Sequence, residues 1–172
     1  MASNADQFDP LPLLERLADA EIDFVVIGGV AGGAHGSSYP TYDLDIAYAR
    51  DRPNIERLVE LLRDLRATLR GAPLGLPFQL DAKTIENGSH FTFGTDYGSF
   101  DLLSDPVGAP RYDALKAAAT KGDVRGRTVL FASLDHLIAM KEAAGRTKDK
   151  LMATEYRVLS DELRAPKPEQ QV

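Results

Sequence analysis

The sequence predicts an α+β chain, or α/β in the broad sense: a small mixed β-sheet flanked by helices, with a helical C-terminal part. Three observations carry this. Short apolar or alternating runs at Phe24–Ile27, Asp43–Tyr48, His90–Thr95, Ser99–Ser104 and Thr128–Ala132 have the length and period of strands. Segments with apolar residues three and four apart are interleaved with them, as helices require. The last quarter or so, from Ser133 to about Leu163, reads as helix alone.

Leu11, Leu14, Leu17 and Ala18 recur at helical spacing, so a short amphipathic helix opens the fold. Phe24–Ile27 is a compact run of aromatic and β-branched residues, a buried strand. Gly28-Gly29 ends it, and Val30–Gly36 reads as a small-residue helix. Gly28, Gly32 and Gly36 fall on one helical side, as do Gly29 and Gly33, which favours close backbone approach. Ser37–Pro40 is a turn. Asp43–Tyr48 alternates polar and apolar, the pattern of a half-buried strand. Pro53 opens a helix with the stripe Ile55, Leu58, Val59, Leu62, Leu65 and Leu69. Gly71–Pro77 breaks it. Thr95–Gly98 joins two strands as a hairpin connection. A modest helix is expected over Tyr112–Thr120. Ser133 caps a helix over Leu134–Ala144, Gly145 breaks it, and a last helix runs about Asp149–Leu163.

The chain has 172 residues, 44% hydrophobic and 27% charged, which suits one domain over 1–172. Its core is expected over about 20–132 and its C-terminal helices over about 133–163. Residues 1–9 and 164–172 are expected to be loose tails. With no Cys, a thiol nucleophile, disulfides and Cys-based metal sites are excluded. His35, His90 and His136 are too far apart in sequence to suggest a zinc motif. A net charge of −6 disfavours a broad nucleic-acid surface. Local basic patches at Arg57, Arg63, Arg66 and Arg70, expected on one helix, and at Lys116, Lys121, Arg125 and Arg127 are the exceptions to weigh. No signal-peptide core or membrane-length apolar run is seen, so a cytoplasmic location with no membrane partner is expected.

Three carboxylates stand out. Asp43 and Asp45 project from one strand face, with backbones roughly 6–7 Å apart. Asp101 lies inside the apolar run Phe100–Leu103, where an unpaired carboxylate costs several kcal/mol. A divalent cation compensates such acids, since Mg²⁺ takes a few carboxylates together with phosphate oxygens and water. The alternatives are a plain solvent face for Asp43 and Asp45, and an Arg partner or a strand end for Asp101. The segment Gly28–Gly36 contains neither G-x-G-x-x-G nor the G-x-x-x-x-G-K-[ST] phosphate loop. It is either a packing element or a Gly-Gly turn that admits phosphate. Without the glycine fingerprint, and with a hairpin in the strand order, a Rossmann-type cofactor domain is disfavoured.

The run Ile27-Gly28-Gly29, then Thr41-Tyr42-Asp43-Leu44-Asp45-Ile46, then Phe100-Asp101-Leu102 resembles the nucleotidyltransferase superfamily that includes DNA polymerase β. Leu134–Lys141 followed by Gly145–Asp149 resembles its small bacterial branch of AbiEii-type toxins. The resemblance spans about residues 23–152. It implies the nucleotidyltransferase fold and metal-dependent transfer of NMP from NTP to a hydroxyl acceptor. It further implies that Asp43, Asp45 and Asp101 are catalytic and hold Mg²⁺ or Mn²⁺, two ions in all. Gly28, Gly29, Thr41, Lys141, Arg146 and Lys148 are the implied nucleotide-binding residues, with Asp149 orienting the cations. The acceptor is RNA (tRNA included), a protein side chain or a small molecule, and an antitoxin is an implied partner. Two places depart from the family pattern: Gly29 stands where many members have Ser, and Tyr39 where relatives often have Arg. The alternative is a non-catalytic module of the same fold that binds nucleotide or a partner. Tyr39, Tyr42 and Tyr97 are candidates to stack a base, while the three His are expected to be structural or ordinary.

Overall fold

The computed structural model describes residues 7–166. The elements run α1 (Leu11–Asp19), β1 (Phe24–Ile27), α2 (Gly28–Ala34), β2 (Asp43–Tyr48), α3 (Arg52–Asp64), β3 (Thr68–Leu69) and α4 (Ala82–Asn87). They continue with β4 (His90–Thr95), β5 (Gly98–Leu103), α5 (Tyr112–Ala117), β6 (Thr120–Val124), β7 (Arg127–Phe131), α6 (Leu134–Ala144) and α7 (Thr147–Arg164). The seven strands form one mixed sheet in the order β3-β4-β5-β2-β1-β7-β6. The strand β2 pairs antiparallel with β1 and parallel with β5.

The sheet sorts its residues by period. Leu44, Ile46 and Tyr48 of β2 are fully buried on one face, with Phe100 and Leu102 of β5. They share one hydrophobic core with Ile55, Leu58 and Leu62 of α3. The intervening residues Asp43, Asp45 and Asp101 therefore point to the other face. Burial of this apolar surface, at roughly 25 cal/mol per Å², is what holds the sheet and places those acids.

The expected Ser133 cap forms, and Asp51 adds an unexpected one. The Asp51 carboxylate accepts from the Asn54 N–H at 3.0 Å to start α3, and the Ser133 hydroxyl accepts from the His136 N–H at 3.3 Å to start α6. Gly145 ends α6 in the left-handed conformation, φ 69°, which favours glycine.

Several expectations are corrected. The helix after Pro53 stops at Asp64, not Leu69. Arg66 takes φ 53°, which turns the chain out of the helix, and Leu69 reaches the core from β3 instead. Arg57, Arg63, Arg66 and Arg70 thus do not share one helix. The helix begun at Tyr112 ends at Ala117, and Thr120 opens the unexpected edge strand β6. The β6–β7 hairpin turns through Arg125 and Gly126, both with positive φ, as a tight two-residue turn requires. Helix α7 starts at Thr147, two residues early, and includes Arg164. In the expected N-terminal tail Phe8 packs against the core, and residues 1–6 and 167–172 lie outside the described residues. Of the glycine stripes, Gly29 and Gly32 sit against Thr41 and Tyr156, whereas Gly33 has open space and Gly36 lies beyond α2. Among the described residues no helix is long and apolar enough to cross a membrane.

Candidate active site

Parallel pairing of β2 with β5 sets Asp45 beside Asp101, and antiparallel pairing of β1 with β2 sets Ile27 beside Asp45. Asp101 therefore meets Asp43 and Asp45, distant from it in sequence, on one face, at the point where β1 runs into α2. Asp43, Asp45 and Asp101 each offer a carboxylate oxygen within 4.8 Å of the others. Gly28 takes φ +67°, and a Cβ there would stand 2.2 Å from Asp45 Oδ2. The absent side chain is what lets the Asp45 carboxylate occupy this position. A Cβ on Gly29 would meet Thr41 Oγ1 at 2.8 Å, and that hydroxyl donates to the Asp43 carbonyl at 3.1 Å. Gly29 and Thr41 thus brace the start of β2.

This concentration of negative charge is under-compensated. Burial pushes the Asp45 carboxyl up to about 7, and the Asp43 and Asp101 carboxylates push the same way. Burial also raises Asp101, against the pull of Arg70. Arg70 Nη2 donates to Asp101 Oδ1 at 2.9 Å, and His90 Nε2 lies 3.7 Å from its Oδ2. Asp101 is 6% exposed. An all-oxygen donor set with excess negative charge suits a hard divalent cation such as Mg²⁺ or Mn²⁺, so the residues fit the metal that the fold family implies.

The acids and the implied nucleotide-binding residues line one cavity of about 740 Å³: Gly28, Gly29, Thr41, Asp43, Asp45, Asp101, Lys141, Arg146 and Lys148. The cations are not equivalent. Asp149, 1% exposed, accepts from Lys141 Nζ at 3.2 Å and from Arg146 Nε at 2.7 Å. The Arg146 and Lys141 hydrogen bonds hold its carboxyl below the usual carboxylate range. Asp149 clamps both cations across the Gly145 turn between α6 and α7.

Arg70 and His90 are the neighbours that sequence reasoning missed. Arg70 follows β3, a two-residue strand hidden inside an apparent helical stripe. His90 projects on the Asp101 face because it pairs with Leu103 across β4 and β5. Of the tyrosines, only Tyr42 lines the cavity, 65% exposed. Tyr39 packs against the core, and the ring of Tyr97 lies under the Arg16 guanidinium, 4.7 Å from ring centroid to carbon. His35 Nε2 bonds the Ala132 carbonyl at 2.8 Å and ties the end of α2 to the exit of β7, a structural role.

A stability signature follows from Asp45. The unfolded chain loses this proton near pH 4, the folded chain near 7. Between those values the folded state holds the extra proton, so metal-free protein loses stability as pH rises through the window. The melting temperature of chelator-treated protein is expected to fall between about pH 4 and 7. Asp45→Asn is expected to flatten that fall, and Mn²⁺ to reverse it at the upper end. A level wild-type profile would contradict the electrostatics.

Comparison with solved structures places the fold. The chain superposes on the lincomycin-bound lincosamide antibiotic adenylyltransferase LnuA with TM-score 0.59 at 11% identity, covering 86% of this chain and 94% of that one. An antigenic nucleotidyltransferase-like protein from Paracoccidioides brasiliensis gives TM-score 0.59 at 17% identity, covering 92% and 76%. A proposed nucleotidyltransferase from Thermotoga maritima gives 0.53 at 14%, covering 88% and 92%. No protein-family model and no curated protein sequence matches the chain. At these identities the likeness establishes the nucleotidyltransferase fold alone.

Proposed function

We propose that this chain transfers a nucleotidyl group from an NTP to a hydroxyl acceptor. The observation that carries the reading is the meeting of Asp43, Asp45 and Asp101 beside the Gly28 turn, in a cavity that also holds Lys141, Arg146 and Lys148. Asp43 and Asp45 would hold the divalent cations, with Asp101 completing the set. When bound, two such cations neutralise the phosphates and the charge that develops on the attacking and leaving oxygens.

The chain's own residues do the rest. Gly28 and Gly29 present no side chain and leave room for phosphate close to the acids. Lys148 faces the cavity without an ion pair among the described residues and supplies positive charge for the triphosphate. Lys141 and Arg146, oriented by Asp149, add to it. Asp101 accepts the acceptor's proton. The acceptor oxygen bonds to the α-phosphorus, the bond from the α-phosphorus to the bridging oxygen breaks, and pyrophosphate leaves.

The test is incubation with each α-labelled NTP, Mg²⁺ and cell extract, followed by separation of RNA, protein and small molecules. Label should enter one fraction with release of pyrophosphate. One observation favours a second reading. The Arg70–Asp101 ion pair occupies the third acid, as a nucleotide-binding module without turnover would tolerate. That module would bind NTP and release no pyrophosphate. A toxin role within an AbiEii-type branch rests on the Leu134–Lys141 and Gly145–Asp149 runs, and an adjacent antitoxin gene would support it.

A further inference from the structure

We infer that the acceptor is a small hydroxyl-bearing molecule with an apolar body, seated against Leu103, Pro106 and Val107 and the facing Met140 and Ala144. The inference rests on the nucleotidyl-transfer reading and assigns the apolar residues that line the cavity. These five residues line the same space as the three acids. Val107 is 71% exposed and presents an apolar surface to this space. Its position is fixed. The next residue, Gly108, takes φ +82°, and a Cβ there would fall 2.6 Å from the Ala139 carbonyl oxygen and 2.7 Å from Ala143 Cβ. The loop after β5 is therefore docked backbone-first on α6, and Val107 is held at the mouth of the cavity.

The apolar strip continues the sheet face that carries the acids. Leu103 lies two residues beyond Asp101 on β5, so an acceptor resting on Leu103 brings a hydroxyl toward the Asp101 carboxylate. The volume of about 740 Å³ lies within the range for small-molecule sites, roughly 300–1,000 Å³.

The charge pattern speaks against RNA. Arg125 and Arg127 are paired with Glu15 and Asp19, and Lys116 with Asp23. These are three of the four cations of the Lys116–Arg127 patch, and their charge is matched by the protein's own acids, whereas Lys121 has no ion pair among the described residues. A chain of net charge −6 with most of that patch matched gains little from counterion release.

The chemistry balances as a simple transfer. The acceptor oxygen gains the α-phosphorus, pyrophosphate takes the electrons of the broken P–O bond, and the hydroxyl proton passes to the protein.

The test uses the whole chain with α-labelled NTP, Mn²⁺ and three acceptor pools from one extract: ultrafiltered small molecules, total RNA and total protein. Val107→Asp puts a charge on the exposed wall without touching the core, and Val107→Leu keeps the wall apolar. Calorimetry with a non-hydrolysable NTP and Mn²⁺ is run on all three proteins. Label is expected in the small-molecule pool, in a product that partitions into organic solvent further than labelled NTP does. Val107→Asp should lower that label at least tenfold with NTP affinity within twofold of wild type, and Val107→Leu should keep it. Label in RNA or protein would overturn the inference. So would indifference to Val107→Asp or an equal loss of NTP affinity. NTP binding with no label in any pool, or no binding of Mn²⁺ and NTP by the wild type, would instead strike the nucleotidyl-transfer reading itself, and this inference with it.

Discussion

Asp43→Asn is expected to lower nucleotidyl transfer by roughly 10³-fold or more, since cation-mediated charge stabilisation contributes several kcal/mol to the transition state. Asn keeps the size of Asp and loses its negative charge. The backbone pairing of residue 43 with Ser99 does not depend on the side chain, so the fold should survive. The variant should melt as a single species and no earlier than wild type, because relieving repulsion among three acids removes an unfavourable interaction. Label transfer from α-labelled NTP and a thermal melt check both halves. Activity within tenfold of wild type would remove residue 43 from the machinery.

Gly28→Ala is expected to be comparably damaging by a different route. Residue 28 sits at φ +67°, where an L side chain costs about 1–3 kcal/mol. The added methyl would also stand 2.2 Å from Asp45 Oδ2, nearer than atoms can approach. Either the turn or the carboxylate must move, and the carboxylate is the softer of the two. Mn²⁺ affinity should fall at least tenfold and transfer should fall with it. Gly33→Ala is the matched control. It lies in the same helix, at an ordinary φ, and an added methyl there would have no atom within 4 Å. It should leave both readouts unchanged. Equal behaviour of the two alanines would show that the glycine turn does not position Asp45.

The parts of this site legible in the sequence were those with a local energetic anomaly. A carboxylate inside Phe100–Leu103 is expensive unless compensated, so Asp101 drew attention by its surroundings. Asp43 and Asp45 are two apart, and strand period alone gives them a common face. Ser133 and Gly145 bracket α6 through capping chemistry that depends on neighbours only. What could not be read was set by long-range pairing. Arg70 looked like the end of a helix because Leu65 and Leu69 continue its stripe at four-residue spacing. Nothing at Arg66 signals that its backbone turns left-handed there. Strand β6, with Lys, Gly and Asp at its centre, has little strand propensity and exists because β7 offers it a paired edge. The clamp of Asp149 on Lys141 and Arg146 needed the angle between two helices, which no local pattern carries.

The proposed function requires a divalent cation among Asp43, Asp45 and Asp101. Counting bound Mn²⁺ by electron paramagnetic resonance, with a non-hydrolysable NTP present, tests it directly. Wild-type protein should bind two ions at saturation, and Asp43→Asn or Asp101→Asn should bind fewer. Wild-type protein that binds no Mn²⁺ while folded, with NTP in excess, would contradict the account.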